Sequence, residues 1–156
     1  MGGVRIVPMT AEYAADIVTW RYPQPYDCYD MTGADPGFML DPGNEFFALV
    51  ADGELAGFRS FGADGQVPGG AYDDSALDTG GGLRPSLTGR GLGRAAILTG
   101  LEFGRRRFAP AAFRVTVASF NSRALRVVTS LGFRPVSSFA ATADGRSFDI
   151  LVRPEA

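Results

Sequence analysis

The sequence predicts one α/β domain spanning residues 1–156, and three observations predict it. A chain of 156 residues is the length of a single ordinary domain. Hydrophobic residues make up 46% against 21% charged, with twelve Phe and five Tyr, which supplies a core and argues against disorder. Strand and helix periodicities follow one another in the order β-α-loop-β-β-β-α-β-α-β-β, with no linker and no repeat. That order is an α/β layer of mixed strand direction.

Val4-Arg5-Ile6-Val7 reads as a short strand that stops at Pro8. Thr10 is placed to cap a helix in which Ala14, Ile17 and Val18 recur at helical spacing to about Trp20. Pro23 and Pro25 keep Tyr22–Asp30 out of regular helix, and Met31–Asn44 shows no clear period. Phe46–Val50 and Leu55–Phe61 are strands around Asp52-Gly53, a two-residue hairpin signal. A Gly-rich loop from Gly62 to Tyr72 precedes a strand over Ser75–Leu83, and a helix follows over Gly93–Phe108. Arg105, Arg106 and Arg107 close that helix, where its dipole favours cations. Phe113, Val115 and Val117 alternate with Arg114, Thr116 and Ala118, as in a half-buried strand. Asn121 caps a helix carrying Ala124, Leu125, Val128 and Leu131 at helical spacing, and Gly132 ends it. Strands over Phe133–Phe139 and Ser147–Val152 flank Asp144-Gly145 and complete the chain.

Charge and missing residue types narrow the function. All fifteen basic residues are Arg, set against seventeen acidic ones. The net charge of −2 makes neither nucleic acid nor an anionic membrane an expected partner. Without His or Lys the chain cannot build a Ser-His-Asp or Cys-His centre, a His-ligated metal site, a Lys Schiff base or a P-loop. No metal is expected. Cys28 is the single cysteine, which rules out an internal disulfide and suits a reducing compartment. Met1-Gly2-Gly3-Val4-Arg5 has no apolar h-region and nothing reaches eighteen uninterrupted apolar residues. A cytoplasmic protein with neither secretory signal nor membrane span is the expectation.

The informative segment runs from Leu83 to Ala96, LRPSLTGRGLGRAA. A strand enters a turn with alternate glycines at 89, 91 and 93, and a helix leaves it. Glycines let backbone N–H groups converge on a ligand, and a helix N-terminus adds unpaired donors and the positive end of its dipole. That combination suits a pyrophosphate, with Arg84, Arg90 and Arg94 able to reach further phosphates. Gly91 to Ala96 also matches the dinucleotide pattern G-x-G-x-x-A. No Asp or Glu occurs between Gly104 and Thr142, however, where the ribose-binding acid of that motif belongs. A plain Gly-rich connector is the bland alternative.

Two motifs decide between these readings. Thr88-Gly89-Arg90-Gly91-Leu92-Gly93 is similar to the acyl-CoA loop Q/R-x-x-G-x-G/A of the GNAT acetyltransferase superfamily. Asn121-Ser122-Arg123-Ala124, then Leu131-Gly132-Phe133, resembles the family's later N-x-x-A and closing G-F. The resemblance implies a mixed, mostly antiparallel sheet with a splayed central strand pair and flanking helices. It implies acetyl-CoA as co-substrate, with pyrophosphate on Gly89, Arg90, Gly91, Leu92 and Gly93. Thr88 stands where the family has Gln or Arg, so its backbone carries the contact. Pantetheine would run along Gly82, Leu83 and Arg84, with Asn121 on a polar group of its arm. Gly80-Gly81-Gly82 suits such close backbone approach.

The implied reaction is direct attack of an amine on the thioester, with backbone N–H groups near Leu83 stabilising the developing oxyanion. The family's usual thiol acid, a Tyr in the last helix, falls at Val128, so that donor is absent. Asp78 is the leading candidate base, acting through water, while Asp73 and Asp74 read as loop charges. Tyr26 and Tyr29, with Tyr22, Asp27 and Asp30, form an aromatic and acidic loop that borders the acceptor pocket in the family. Such a loop suits a cationic acceptor, either a small amine or a protein N-terminus. Tyr22 reads as a loop anchor and Cys28 as a packed hydrophobe. Arg123 and Arg126 could reach phosphates or simply be solvated. Dimers are common in families like this one, so a homodimer is the assembly to expect. The alternative function is a non-catalytic acyl-CoA-binding or regulatory domain, encouraged by Val128 and the missing His.

Overall fold

Alternating apolar residues at the start of the chain form β1 (Val4–Pro8), and Thr10 then caps α1 (Ala11–Ile17), its Oγ1 accepting from the Tyr13 N–H at 3.1 Å. The computed structural model describes residues 3–155. Met1, Gly2 and Ala156, and so the first two positions of the expected leaderless N-terminus, lie outside the described residues. α1 ends three residues before the predicted Trp20. Its last turn tightens, with Thr19 N–H bonding Asp16 O at 2.9 Å, and Trp20 turns its buried ring inward while its Nε1–H donates to Asp16 Oδ1 at 3.1 Å. Residues 26–29 form a single 3-10 turn, as the prolines required. In the segment without a clear period, α2 (Gly37–Leu40) makes one turn that buries Met39.

The hairpin is as predicted. β2 (Phe46–Ala51) and β3 (Glu54–Phe61) meet at Asp52 and Gly53, whose φ angles of 53° and 78° are the left-handed pair a tight two-residue turn requires. β4 (Leu77–Leu83) starts two residues later than predicted. The Asp73 carboxylate accepts from the Ser75 N–H at 3.0 Å, and that local turn competes with extending the strand. α3 (Leu92–Phe108), β5 (Ala112–Ala118), α4 (Ser122–Ser130), β6 (Arg134–Ala140) and β7 (Ser147–Pro154) follow in the predicted order. Asn121 caps α4 through Oδ1, which accepts from Ala124 N–H at 3.1 Å. Gly132 takes a φ of 97° beyond the helix end.

The strands form a seven-stranded sheet in the order β1-β2-β3-β4-β5-β7-β6. β4 and β5 are parallel, whereas β1–β2, β2–β3, β5–β7 and β6–β7 are antiparallel. The parallel ladder pairs Leu77 with Phe113 and Asp78 with Arg114. Contacts divide the chain into two compact units, and β4 and α3 each run through both. One unit comprises the chain up to Ser60 together with Gly81–Gly100; the other comprises Phe61–Gly80 and the chain from Leu101. The first has a core of Ala14, Ile17, Trp20, Met39, Phe46, Ala48 and Leu55. The second buries Leu101, Phe113, Val115, Val128, Phe133 and Leu151.

A buried ion pair lies inside the second unit. Arg114 grips Asp78 from two sides, Nε to Oδ1 and Nη2 to Oδ2, both at 2.7 Å, and Gln66 Nε2 adds a bond to Oδ2 at 3.0 Å. The side chains are 5% and 4% exposed, so neither charge has water to fall back on. Asp78 holds the Arg114 guanidinium above its ordinary range, and the Tyr72 ring packs 5.1 Å from that guanidinium. This geometry corrects the expectation for Asp78. Both carboxylate oxygens are occupied by a cation, so the lone pairs a general base needs are already engaged. Removing one partner leaves the other charge buried and uncompensated. Asp78→Asn should therefore lower unfolding free energy by about 3–5 kcal/mol, measured by urea denaturation. A loss below about 1 kcal/mol would remove the structural role.

Candidate active site

The candidate site within the first unit is the chain from Gly81 to Arg94 with the side chains packed on it. After β4, residues 85–87 make a 3-10 turn, in which Leu87 N–H bonds Arg84 O at 2.8 Å. The Thr88 hydroxyl donates to Pro85 O at 2.8 Å and closes that turn. Gly89 and Gly91 then take φ angles of 74° and 81°, both left-handed. At Gly91 a Cβ would meet nothing within 4 Å, so the space beside that residue is open. α3 begins at the next residue, and none of its first-turn residues is acidic, so no internal carboxylate competes for its N–H groups. Arg90 and Arg94 are exposed, with no ion-pair partner among the described residues. The turn is suited to a phosphate-bearing ligand.

β4 reaches this turn under tight restraint. Arg84 N–H donates to Ala56 O at 2.8 Å, and the Tyr22 hydroxyl donates to Leu83 O at 2.6 Å. Both ends of one peptide unit are thereby held. Arg84 Nε bonds Leu55 O at 3.0 Å, its Nη2 pairs with Asp16 Oδ2 at 2.6 Å, and its guanidinium lies 5.0 Å from the Trp20 ring. This cation is directed to α1 and β3, not to a phosphate. At Gly81 a Cβ would sit 2.2 Å from Phe58 O and 2.8 Å from Arg59 Nη1, so only glycine lets β4 approach β3 this closely. Arg59 itself is buried, and desolvation lowers its pKa to about 10.

Beside Gly82 lies an aromatic cleft lined by Ile17, Trp20, Tyr22, Tyr29, Met31 and Phe58. A Cβ on Gly82 would be 3.3 Å from Phe58 Cε1 and from the Tyr22 hydroxyl, which fixes the strand against the cleft wall. Tyr29 lies in this lining, whereas Tyr26, half-buried in its 3-10 turn, does not. Asp30 accepts from the Tyr22 N–H at 2.8 Å and helps position that residue. In the second unit Asn121 uses Oδ1 on the α4 cap, and Val128 is 2% exposed.

Sequence reasoning missed Trp20, Phe58 and Arg59 as parts of this region. Arg59 had a signal, a lone charge in the interior of a mostly apolar strand. Tyr22 was expected as an anchor, and its anchor point proves to be Leu83.

With this geometry established, comparison with known proteins defines the class. The model of the acetyltransferase (GNAT) family matches residues 11–133, and the chain belongs to that family. It is therefore an acetyltransferase of the GNAT type. The fold agrees with solved structures that are distant in sequence. The aminoglycoside enzyme AAC(6′)-Ib in complex with ribostamycin and coenzyme A superposes at TM-score 0.77 and 18% identity, over 98% of this chain and 94% of that one. A spermidine N-acetyltransferase chimera of the Vibrio cholerae and hSSAT proteins gives TM-score 0.77 at 12% identity, over 97% and 95%. A Salmonella typhimurium putative acetyltransferase with its cofactor acetyl-CoA gives 0.68 at 17%, over 97% and 94%. Among curated sequences no relative matches significantly. No helix among the described residues is long and apolar enough to cross a membrane.

The Tyr22 anchor carries a pH signature. Burial, with the nearby Asp30 charge second, raises its phenol from the ordinary 10.0 to about 12. A raised folded pKa means its stability contribution is complete below about pH 10 and is lost as pH rises towards 12. Stability measured by denaturant between pH 9 and 11 should fall more steeply for the wild type than for Tyr22→Phe. Parallel curves would show that the phenol is not held as described.

Proposed function

We propose that the protein is an acetyl-CoA-dependent N-acetyltransferase whose turn at residues 89–93 holds the coenzyme pyrophosphate. The observation that carries this reading is the open, left-handed bend at Gly91, set immediately before a 17-residue helix with no acid in its first turn. The residues present fit the group. Backbone donors at 89–93 would take the diphosphate oxygens, and exposed Arg90 and Arg94 would add charge-assisted bonds. Structural neighbours named as complexes with acetyl-CoA or coenzyme A support the same ligand.

Acetyl-CoA supplies a thioester carbon open to an amine. The chain's own part is positioning and electrostatics. β4, held by Tyr22 and Arg84, presents a rigid backbone at Gly82 and Leu83 where oxyanion donors are required. Such a donor contributes about 3 kcal/mol when it is preorganised. The amine approaches from the open cleft beside Gly82, with Tyr29 in its wall. Asp78 takes no part, because Arg114 and Gln66 occupy its oxygens.

A second reading, acyl-CoA binding without transfer, is favoured by one observation: α4 presents buried Val128 where the family's phenol acid belongs. A thiol of pKa about 8.5 leaves without a dedicated acid, which keeps transfer ahead. Thiol release on mixing protein, acetyl-CoA and an amine panel separates the two.

Calorimetry should detect acetyl-CoA binding at sub-millimolar concentration, and absence of heat at millimolar ligand removes both readings. Gly91→Val forces a branched side chain onto a φ of 81° in the nest. Its affinity for acetyl-CoA should fall by about 1.5–3 kcal/mol, roughly tenfold to a hundredfold, with the circular dichroism unchanged. Normal binding by a folded Gly91→Val protein would sink the loop assignment.

A further inference from the structure

Successive residues of β3 point to opposite faces of the sheet. Phe58 packs against the core around α1, and its ring meets β4 at Gly82. Arg59 meets β4 one residue earlier. A Cβ on Gly81 would be 2.8 Å from Arg59 Nη1 and 2.9 Å from its Cδ. The same side chain also touches α3. A Cβ on Gly100 would be 3.1 Å from Arg59 Cγ, 3.2 Å from Nε and 3.4 Å from Cδ. Arg59 therefore fills a slot walled by one glycine of β4 and one glycine of α3. The residue is 7% exposed, and burial lowers its pKa to about 10. A buried cation costs folding free energy that an apolar side chain of similar volume does not. Packing alone does not account for arginine in this slot.

We propose that Arg59 is a positioning residue, a strut that sets the spacing between β4 and α3. The inference rests on the acetyl-CoA reading above. In that reading the diphosphate lies at the turn that opens α3, and the thioester lies along β4 at Gly82 and Leu83. A ligand held at both places binds and reacts well only where the two are correctly spaced. The connection from Leu83 to Leu92 is a poor ruler for that distance, because it passes through Gly89 and Gly91 in left-handed conformations. A direct brace between strand and helix is a better one. Gly100 lies about two turns, roughly 12 Å, along α3 from Leu92, and the helix carries a displacement there to its own N-terminus. Arginine suits the part. Its unbranched stem passes Gly100, and its broad planar head fills the space beside Gly81.

The test compares the wild-type chain with Arg59→Met, Arg59→Lys and Gly100→Ala, each checked for fold by circular dichroism. Calorimetry measures binding of acetyl-CoA and of the phosphoadenosine diphosphate half of coenzyme A, which occupies the turn without reaching β4. We expect Arg59→Met to bind the half-ligand within about twofold of wild type, but acetyl-CoA about tenfold more weakly, with kcat reduced as well. Arg59→Lys keeps the stem and should recover part of both losses. Gly100→Ala presses a methyl group onto the strut and should weaken acetyl-CoA binding severalfold, with the half-ligand unaffected. Equal weakening of both ligands overturns the strut, because the turn itself would then be damaged. Unchanged acetyl-CoA affinity and kcat in a folded Arg59→Met protein overturn it too. If neither Arg59 variant folds, Gly100→Ala decides alone, and wild-type behaviour there overturns the proposal. A wild-type protein that binds neither ligand strikes the co-substrate reading, and the strut's role falls with it.

Discussion

The peptide joining Leu83 to Arg84 is held at both ends, its carbonyl by the Tyr22 hydroxyl and its N–H by Ala56 O. The rest of the site depends on this restraint. A strand about to enter a glycine turn has little stiffness of its own, because Gly80, Gly81 and Gly82 contribute no side-chain packing. Stiffness is supplied from outside, by a phenol from the loop after α1 and by the Arg84 guanidinium on Asp16. The entry to the turn at 89–93 is thereby fixed, and the space beside Gly91 stays clear.

Asp16 illustrates how one carboxylate serves several neighbours. It receives the Trp20 indole and the Arg84 guanidinium together, and that hydrogen bond from Arg84 is the main reason its pKa is lowered. The pair is partly exposed, at 32% and 40%, so its value lies in direction more than in energy. It fixes the Trp20 indole and directs the Arg84 guanidinium to α1. Arg114 and Asp78 play the corresponding part in the second unit, in a dry setting where breaking the pair is costly. An all-Arg complement of cations suits both arrangements, since a planar fork can satisfy two acceptors at once.

A chain with no His, no Lys and no phenol at the usual position on α4 can still support acyl transfer. The proposed chemistry asks the protein for rigid backbone donors and an open anion cradle. Side-chain acid–base groups are the dispensable part, because the leaving thiol is already acidic. Gly82 lies against Phe58 and the Tyr22 hydroxyl, so strand and cleft wall are a single packed structure. Tyr22 is the residue that ties the two together, its hydroxyl bonded to Leu83 O.

Local signals made much of the fold legible. The Asp52-Gly53 turn, the Thr10 and Asn121 caps, the strand and helix periods and the glycine turn before α3 each depend on residues within a few positions of one another. Their physics is local, so the linear sequence determines them. The Met31–Asn44 segment was not legible, because α2 is a single turn held by the burial of Met39 and has no period to detect. The partners of charged and phenolic side chains are a different matter. Tyr22 finds Leu83 across 61 residues, Arg84 finds Asp16 across 68, and Arg114 finds Asp78 across 36. Nothing near Asp78 in sequence distinguishes a water-bound base from a buried counter-ion. Which neighbour a long polar side chain meets is settled by how the strands are ordered, and only the tertiary structure decides it.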